Sequence, residues 1–450
     1  MARTEAPAPL PLAAAGEVET PEPEIQGVAH FEAEVDVKAA PEPTVADGWS
    51  LARFESLALT HNPSIQQANA SAHKAMGYRD QVGRKPNPTV GYNATQLADR
   101  GTDQHVAFVE QDYVTADKLC LNERVLNQEV QSQLWEASTQ QQRVLTDVRI
   151  AFYRTLAAQR RLELTTEFET LARNAVATAN ARYEAKEGAK TEVLQFEIQL
   201  QEILIQRQQA EATLKAQWKQ LAAVAGMPEL APQPLVGELP VAAPEREWDL
   251  LVQELISSSP EVSAARARLA RAKANIDRQE AQSTPNLQFQ VAAGRDNGTG
   301  SGMINAQVGV PIPFHNANEG NISAAQAEYC RASQEVRRLE LSIQSRLAEA
   351  RGEYESAAAA VRMAGSDILP RAEETLRLVD QAYGAGEFDF LQVLVARKTF
   401  FEQNLAFVKS QAALAEATSL VEGMVLTGGL DASRDTEFDS GLRDQALNGQ

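Results

Sequence analysis

Two helical runs of about 65 residues, near 118–186 and 318–383, limit what this chain can become more than any other feature. Ala, Gln, Glu, Leu and Arg dominate both runs, and glycine is scattered, a composition that favours helix. At a rise of 1.5 Å per residue each would extend about 100 Å. A rod of that length needs partners along its whole course. Between 134 and 156 the apolar residues Leu134, Ala137, Leu145, Val148, Phe152 and Leu156 are spaced by mixed threes and fours, as in coiled-coil packing. The Ala-rich stretches Ala357–Ala360 and Ala412–Ala415 suit close helix approach, and sparse Phe and Trp argue against a large globular core.

The long runs belong to a duplicated unit. Trp49-x-Leu51 returns as Trp248-x-Leu250, Asn62-Pro63 as Ser259-Pro260, and Pro88 as Pro285. Tyr183 and Val193-Leu194 return as Tyr383 and Val393-Leu394, so that all offsets fall between 197 and 200 in unchanged order. That regularity predicts two copies of one fold unit. The expected organisation is an acidic Pro-rich arm (1–48), a first repeat (49–225), a Pro-rich connector (226–247), a second repeat (248–424) and an acidic tail (425–450). Each repeat should run helix, two strands, very long helix, break, helix. In the first, the helices are 50–83, 118–186 and 191–225, with strands within 88–114 and the break at 184–191. In the second they are 248–282, 318–383 and 388–424, with strands within 286–312 and the break at 384–389.

Charge and motifs exclude several functions. The net charge of −19 argues against a nucleic-acid partner. More than half of it lies in the arm and tail, so it says little about cargo. Cys120 and Cys330 form no CxxC pair, and the five histidines form no HxxxH or HExxH spacing, so no metal or other cofactor is expected. No phosphate-loop, dinucleotide or nucleophile-elbow motif occurs, and the chain does not read as an enzyme. No run of about 20 apolar residues exists to make a spanning helix. The N-terminus shows no recognisable signal peptide, having no basic segment followed by a sustained apolar one.

A closed β-barrel remains open, and the strands argue for it. From Asn286 to Ala293, Leu287, Phe289 and Val291 alternate with Asn286, Gln288 and Gln290. After the Gly-rich reversal at 295–302, Ile304, Val308, Val310 and Ile312 alternate with Asn305 and Gln307. The first repeat repeats the theme more weakly: Val90, Tyr92 and Ala94 alternate with Gly91 and Asn93, and Val106 and Phe108 follow a turn at Arg100-Gly101. Isolated hairpins are marginal in water and their edges invite aggregation. Four strands are too few to close a barrel, whereas three chains would supply twelve. The expected lipid face is Leu287, Phe289, Val291, Ile304, Val308 and Val310; the expected lumen face is Asn286, Gln288, Gln290, Asn305 and Gln307. A soluble long-helix scaffold carrying two hairpins is the competing expectation.

The order of elements over 49–425 resembles the TolC-like outer membrane efflux channel family. Three segments resemble its heavy-metal, CzcC-like branch: Gly309-Val-Pro-Ile-Pro-Phe-His-Asn-Ala-Asn-Glu-Gly-Asn-Ile322, Ile368-Leu-Pro-Arg-Ala-Glu-Glu-Thr-Leu376 and Ala382-Tyr-Gly-Ala-Gly-Glu-Phe-Asp-Phe-Leu-Gln-Val-Leu394. The resemblance implies a mainly α fold with a small β part, assembled as a homotrimer whose α-helical barrel is topped by a shared transmembrane β-barrel. It implies residence in the outer membrane, in contact with its lipid, and work with a periplasmic adaptor and an inner-membrane pump. The function it implies is passive efflux, with a type I protein-secretion duct as the alternative of the same architecture. By the same resemblance the breaks become periplasmic tips that dock the adaptor, through Lys186, Gly188 and Thr191 in the first repeat and Gly384, Gly386 and Asp389 in the second. Glu187, Glu192, Glu387 and Asp389 would form an acidic entrance collar if repeated about a threefold axis; solvated acids near helix N-termini are the other reading. Gln392 and Val395 stand where some relatives carry gate aspartates, so no tight aspartate gate is expected. Pro370, inside the second long run, predicts a kink.

Overall fold

The computed structural model describes residues 48–98, 101–385, 387–388, 390–432 and 441–447. Residues 1–47 of the expected acidic arm, Arg100, Gly386, Asp389, and residues 433–440 and 448–450 of the acidic tail therefore lie outside the described residues. The element order is α1 (Leu51–His61), α2 (Pro63–Val82), β1 (Thr89–Thr95), β2 (Gln104–Tyr113), α3 (Lys118–Glu184) and α4 (Lys190–Val224). There follow α5 (Trp248–Ser258), α6 (Pro260–Gln282), β3 (Leu287–Asp296), β4 (Ser301–Gly309), α7 (Glu319–Met363), α8 (Leu369–Gly384), α9 (Phe390–Glu422) and the short α10 (Leu442–Leu447).

Prolines explain three departures from the expected helices. The runs 50–83 and 248–282 are each two helices, because Pro63 and Pro260 occupy first-turn positions, where a missing N–H does no harm. Asn62 caps α2 by accepting from Ser64 N at 2.9 Å. The second long run is interrupted between α7 and α8 by five residues of π-helix, Ala364–Ile368. In an α-helix the Pro370 ring would strike the carbonyl four residues back, and the widened π turn moves that carbonyl aside. α3 has no proline and continues unbroken for 67 residues.

α3 is the spine. It packs against α2, α4, α6 and α9. Its lower half buries Val144, Val148, Phe152 and Leu156 against Phe54, Trp218 and Leu235. Phe54 stacks at 5.4 to 6.1 Å from Trp49, Phe152 and Trp218. The second repeat builds a matching cluster of Leu255, Val262, Ile343, Leu347 and Val421 beside Trp248. The two tryptophans that announced the duplication thus stand at equivalent cores. Toward the N-terminus of α3 the apolar reading holds only in part: Ala137 is buried, but Leu134 is exposed, and the polar Glu129, Ser132, Gln133, Glu136, Thr139 and Gln140 are buried as well. The reason is α6, which presents Arg268 to Glu136 at 2.6 Å and Arg271 to Glu129 at 3.0 Å.

All four strands form one antiparallel sheet in the order β1-β2-β3-β4. The two hairpins join through β2 and β3, with Val109 opposite Val291 and Tyr113 opposite Leu287. Among the described residues this leaves β1 and β4 as the edges of the sheet. β3 runs to Asp296, into the expected reversal at 295–302, and β4 starts at Ser301 and stops at Gly309. Val310 and Ile312 therefore lie past the ladder, because Pro311 has no N–H to donate and restricts the residue before it.

Candidate functional site

In an antiparallel ladder, residues opposite one another share a face. The register places Val90 with Val109 and Val291, Tyr92 with Ala107 and Ala293, and Phe289 with Gln111 and Val308. One face thus collects Val90, Tyr92, Val109, Tyr113, Phe289, Val291, Ile304 and Val308, and each is 41 to 80% exposed. A contiguous apolar surface of this kind marks a contact with lipid or protein. The opposite face carries Gln288, Gln290, Asn305 and Gln307, in the same register.

That polar face also holds residues that alternation alone had not revealed. Glu110 lies opposite Gln290 and Asp112 opposite Gln288, so two carboxylates stand beside the glutamines. Their spacing of two within β2 was the available signal. Val106 and Phe108 are on this same face, opposite Gly294 and Ala292, and not on the Val90 face. The Phe108 ring lies over Gly91, where a Cβ would come within 2.4 Å of it.

Two members of the expected faces are placed differently. Val310 is exposed beyond β4 and belongs to no strand face. Asn286 precedes β3 and is buried, so it does not face a lumen. Its Oδ1 accepts from Lys118 Nζ at 2.7 Å and Thr115 N at 3.3 Å. Lys118 Nζ donates also to Thr284 O. Burial, with the neighbouring Arg278 charge, lowers the Lys118 ammonium from its usual 10.5 to about 8. These contacts tie the foot of β2 to the foot of β3.

At the other end of the rods, the turn between α3 and α4 closes in a Schellman arrangement: Glu187 N donates to Arg182 O at 2.9 Å and Lys186 N to Tyr183 O at 3.0 Å. Lys186 takes the left-handed conformation (φ 63°) that glycine would take without strain. Glu187, exposed, and Gly188 follow it in the turn, and Thr191 lies in the first turn of α4. In the second repeat Glu387 N donates to Ala382 O at 2.9 Å. Gly384 is the last residue of α8 and has no positive φ, so the turn asks no special freedom of it. Replacing Lys186 with glycine should steady this turn by about 1 kcal/mol, offset in part by unfolded-chain entropy. Hydrogen exchange over 182–192 should slow; unchanged or faster exchange would show that Lys186 is not strained.

Of the four acids expected around the tips, Asp389 lies outside the described residues, and the other three do not behave alike. Glu187 and Glu387 are exposed, whereas Glu192 is half-buried. Between the repeats Arg182 Nη1 donates to the Tyr383 hydroxyl. Burial raises the Tyr383 pKa; Arg182 opposes that shift and Glu192 adds to it. Glu192 is thus close enough to act on the Arg182–Tyr383 pair, which sets it apart from the two exposed acids. Below the pair, Val193, Phe196, Ala175 and Ala179 form a small core with Leu394.

Residues 251–421 match the model of the outer membrane efflux protein family. The chain is 27% identical over 265 residues to the cobalt-zinc-cadmium resistance protein CzcC of Cupriavidus metallidurans, covering 57% of this chain and 62% of that protein. It therefore spans less than two thirds of that curated relative. Among solved structures, the outer membrane protein VceC of Vibrio cholerae superposes with a TM-score of 0.67 at 17% identity, over 84% of this chain and 96% of that one. CusC, described as forming a transmembrane channel, gives 0.66 at 16% identity, over 84% and 92%. The fold is the one that VceC and CusC share. The heavy-metal resemblance read from the second repeat agrees with the CzcC match. Within this fold the two-faced sheet and the helix-to-helix turns are the features with chemistry to offer. No helix among the described residues is long and apolar enough to cross a membrane.

Proposed function

We propose that the chain is the outer-membrane channel of a tripartite efflux system, a passive exit duct for heavy-metal cations. The single observation that carries this reading is the sheet: one face of exposed apolar side chains, one face of amides and carboxylates, and two unpaired edges. A membrane barrel needs closure, because lipid cannot satisfy free backbone groups. Three copies joined β4 to β1 give twelve strands, turn the apolar face to lipid and enclose a hydrated bore. Glu110 and Asp112 then supply six carboxylates to that bore, a ring that favours cations. The CzcC relative, whose name is that of a cobalt, zinc and cadmium resistance protein, supports divalent metals as cargo.

In this reading the turns at 185–189 and 385–389 face the periplasm and meet an adaptor that links the channel to an inner-membrane pump. Lys186, Gly188, Thr191, Gly384, Gly386 and Asp389 dock it, and Glu187 and Glu387 give the entrance its negative charge. Energy comes from the pump; the duct contributes only a path.

The test is expression with a working leader beside a matched pump and adaptor. A trimer should be extracted from outer membranes, and cells should gain resistance to cobalt, zinc or cadmium. Recovery only as a soluble monomer would overturn the channel. A trimer that restores export of a protein substrate and no metal resistance would keep the channel and overturn the cargo.

A further inference from the structure

The feet of the strands enclose two fully buried cations, Lys118 and Arg278, and neither forms an ion pair with a carboxylate among the described residues. A buried charge without a counter-charge is costly unless dipoles surround it. Here amide and carbonyl oxygens do so. Arg278 Nε donates to Asn122 Oδ1, and its Nη2 reaches Leu442 O at 3.5 Å. Leu442 belongs to α10, which lies far downstream of the strands it serves.

α10 makes further contacts of the same kind. Asn122 Nδ2 donates to Leu442 O at 3.1 Å, Gln282 Nε2 to Gln445 O at 2.7 Å, and Asn286 Nδ2 to Ala446 O at 2.5 Å. Arg443 Nη1 donates to Gln81 O at 2.5 Å and Arg84 O at 2.8 Å. The Leu442 side chain completes a small core with Val82, Val125, Leu126 and Ala274. In one turn and a half, α10 therefore touches the end of α2 before β1, the start of α3 after β2, and the end of α6 before β3. Those are three of the four places where a strand meets the helical body.

We propose that α10 is a clasp that fixes the strand feet to the helices, and that the sheet is held ready for barrel closure only while the clasp is docked. Its Leu442 carbonyl faces Arg278, its Ala446 carbonyl holds the Asn286 that accepts from Lys118, its leucine fills the gap between helices, and Arg443 holds the root of β1. The clasp joins the feet of both repeats at a level that the β2–β3 pairing alone leaves free to splay. An undocked clasp would leave the long helices intact, since their cores lie elsewhere.

The experiment removes 441–450 from the full chain and follows three readouts: helical circular dichroism, tryptic cleavage after Arg84, and the amount of trimer in outer membranes. Helicity should persist, cleavage should quicken about tenfold or more, as loss of a few hydrogen bonds with their packing implies, and the trimer should fall steeply. Adding a synthetic peptide of residues 441–450 should slow the cleavage again. Arg443→Met, a change at a half-buried residue that spares the buried contacts, should quicken cleavage after Arg84 by a smaller factor. It supplies the decision if the truncated chain loses its helices altogether. Parental cleavage rates and trimer levels in the truncated chain, or an Arg443→Met chain cut no faster than the parent, would overturn the clasp.

Discussion

A Val291→Arg chain should fail to accumulate as a membrane trimer, whereas Gln290→Arg, one residue away, should assemble at the parental level. Val291 stands in mid-strand opposite Ala306 on the exposed apolar face. An arginine at the middle of the bilayer costs about 2–4 kcal/mol on a barrel exterior. Threefold repetition brings the penalty to about 6–12 kcal/mol per trimer, as large as the whole stability of many domains. Gln290 lies on the other face, with Glu110 beside it across β2 and Gln307 across β4. An arginine there meets water and a carboxylate, so its cost is small. It should show itself in the bore instead, by lowering the preference for cations in single-channel recordings. Equal trimer yields from both variants would mean that the Val291 face does not meet lipid.

The contrast between those neighbouring residues also shows which parts of the fold could be read in advance. Period-two alternation is a local signal, and in β3 it was clean enough to give both faces and their occupants. In β2 it was not: Val106 and Phe108 are apolar by composition, yet the ladder puts them with Gln290 and Asn305, because the register is set by the partner strand. That same partner placed Glu110 and Asp112, which no local pattern had singled out. Pairing of the two hairpins within one chain was likewise invisible, since nothing local to either hairpin names the other.

Helices follow the same rule. The long rods and their breaks were legible from composition, length and glycine, and Pro370 announced its own disturbance. What the Leu134 spacing could not report is that α6 offers arginines to this stretch of α3, which turns Glu129 and Glu136 inward and leaves Leu134 outside. At the tip, Gly188 marked the turn, but the strained residue is Lys186. A strained conformation held by tertiary context leaves no mark in residue type. Asn286 fitted the alternation of β3, and only the buried Lys118 beside it shows that it anchors the strand and does not line the bore.

Gly294→Val should separate the two hairpins at their far end and deplete the trimer as severely as a charge in the lipid face. Gly294 pairs with Val106 at the junction of β2 and β3, where the two repeats meet in the sheet. A Cβ at this position would stand 1.8 Å from His105 O and 2.6 Å from Val106 Cα. Both are backbone atoms of the paired strand, so no rotamer change can relieve the overlap; the strands must part. Forced overpacking costs about 1–3 kcal/mol where side chains can yield, and more where the obstacle is backbone. The ladder from Gln104–Asp296 to Val106–Gly294 would open, leaving two marginal hairpins in place of one sheet. Gly302→Val and Gly309→Val are the matched controls. Their nearest neighbours would be 3.8 and 3.7 Å away, in ordinary contact, and both should assemble. Cleavage of the 297–300 loop by a protease added to intact trimers should rise in Gly294→Val alone. If Gly294→Val instead assembled as well as these controls, β2 and β3 would not be paired here, and the two repeats would have to contribute their strands to the barrel separately.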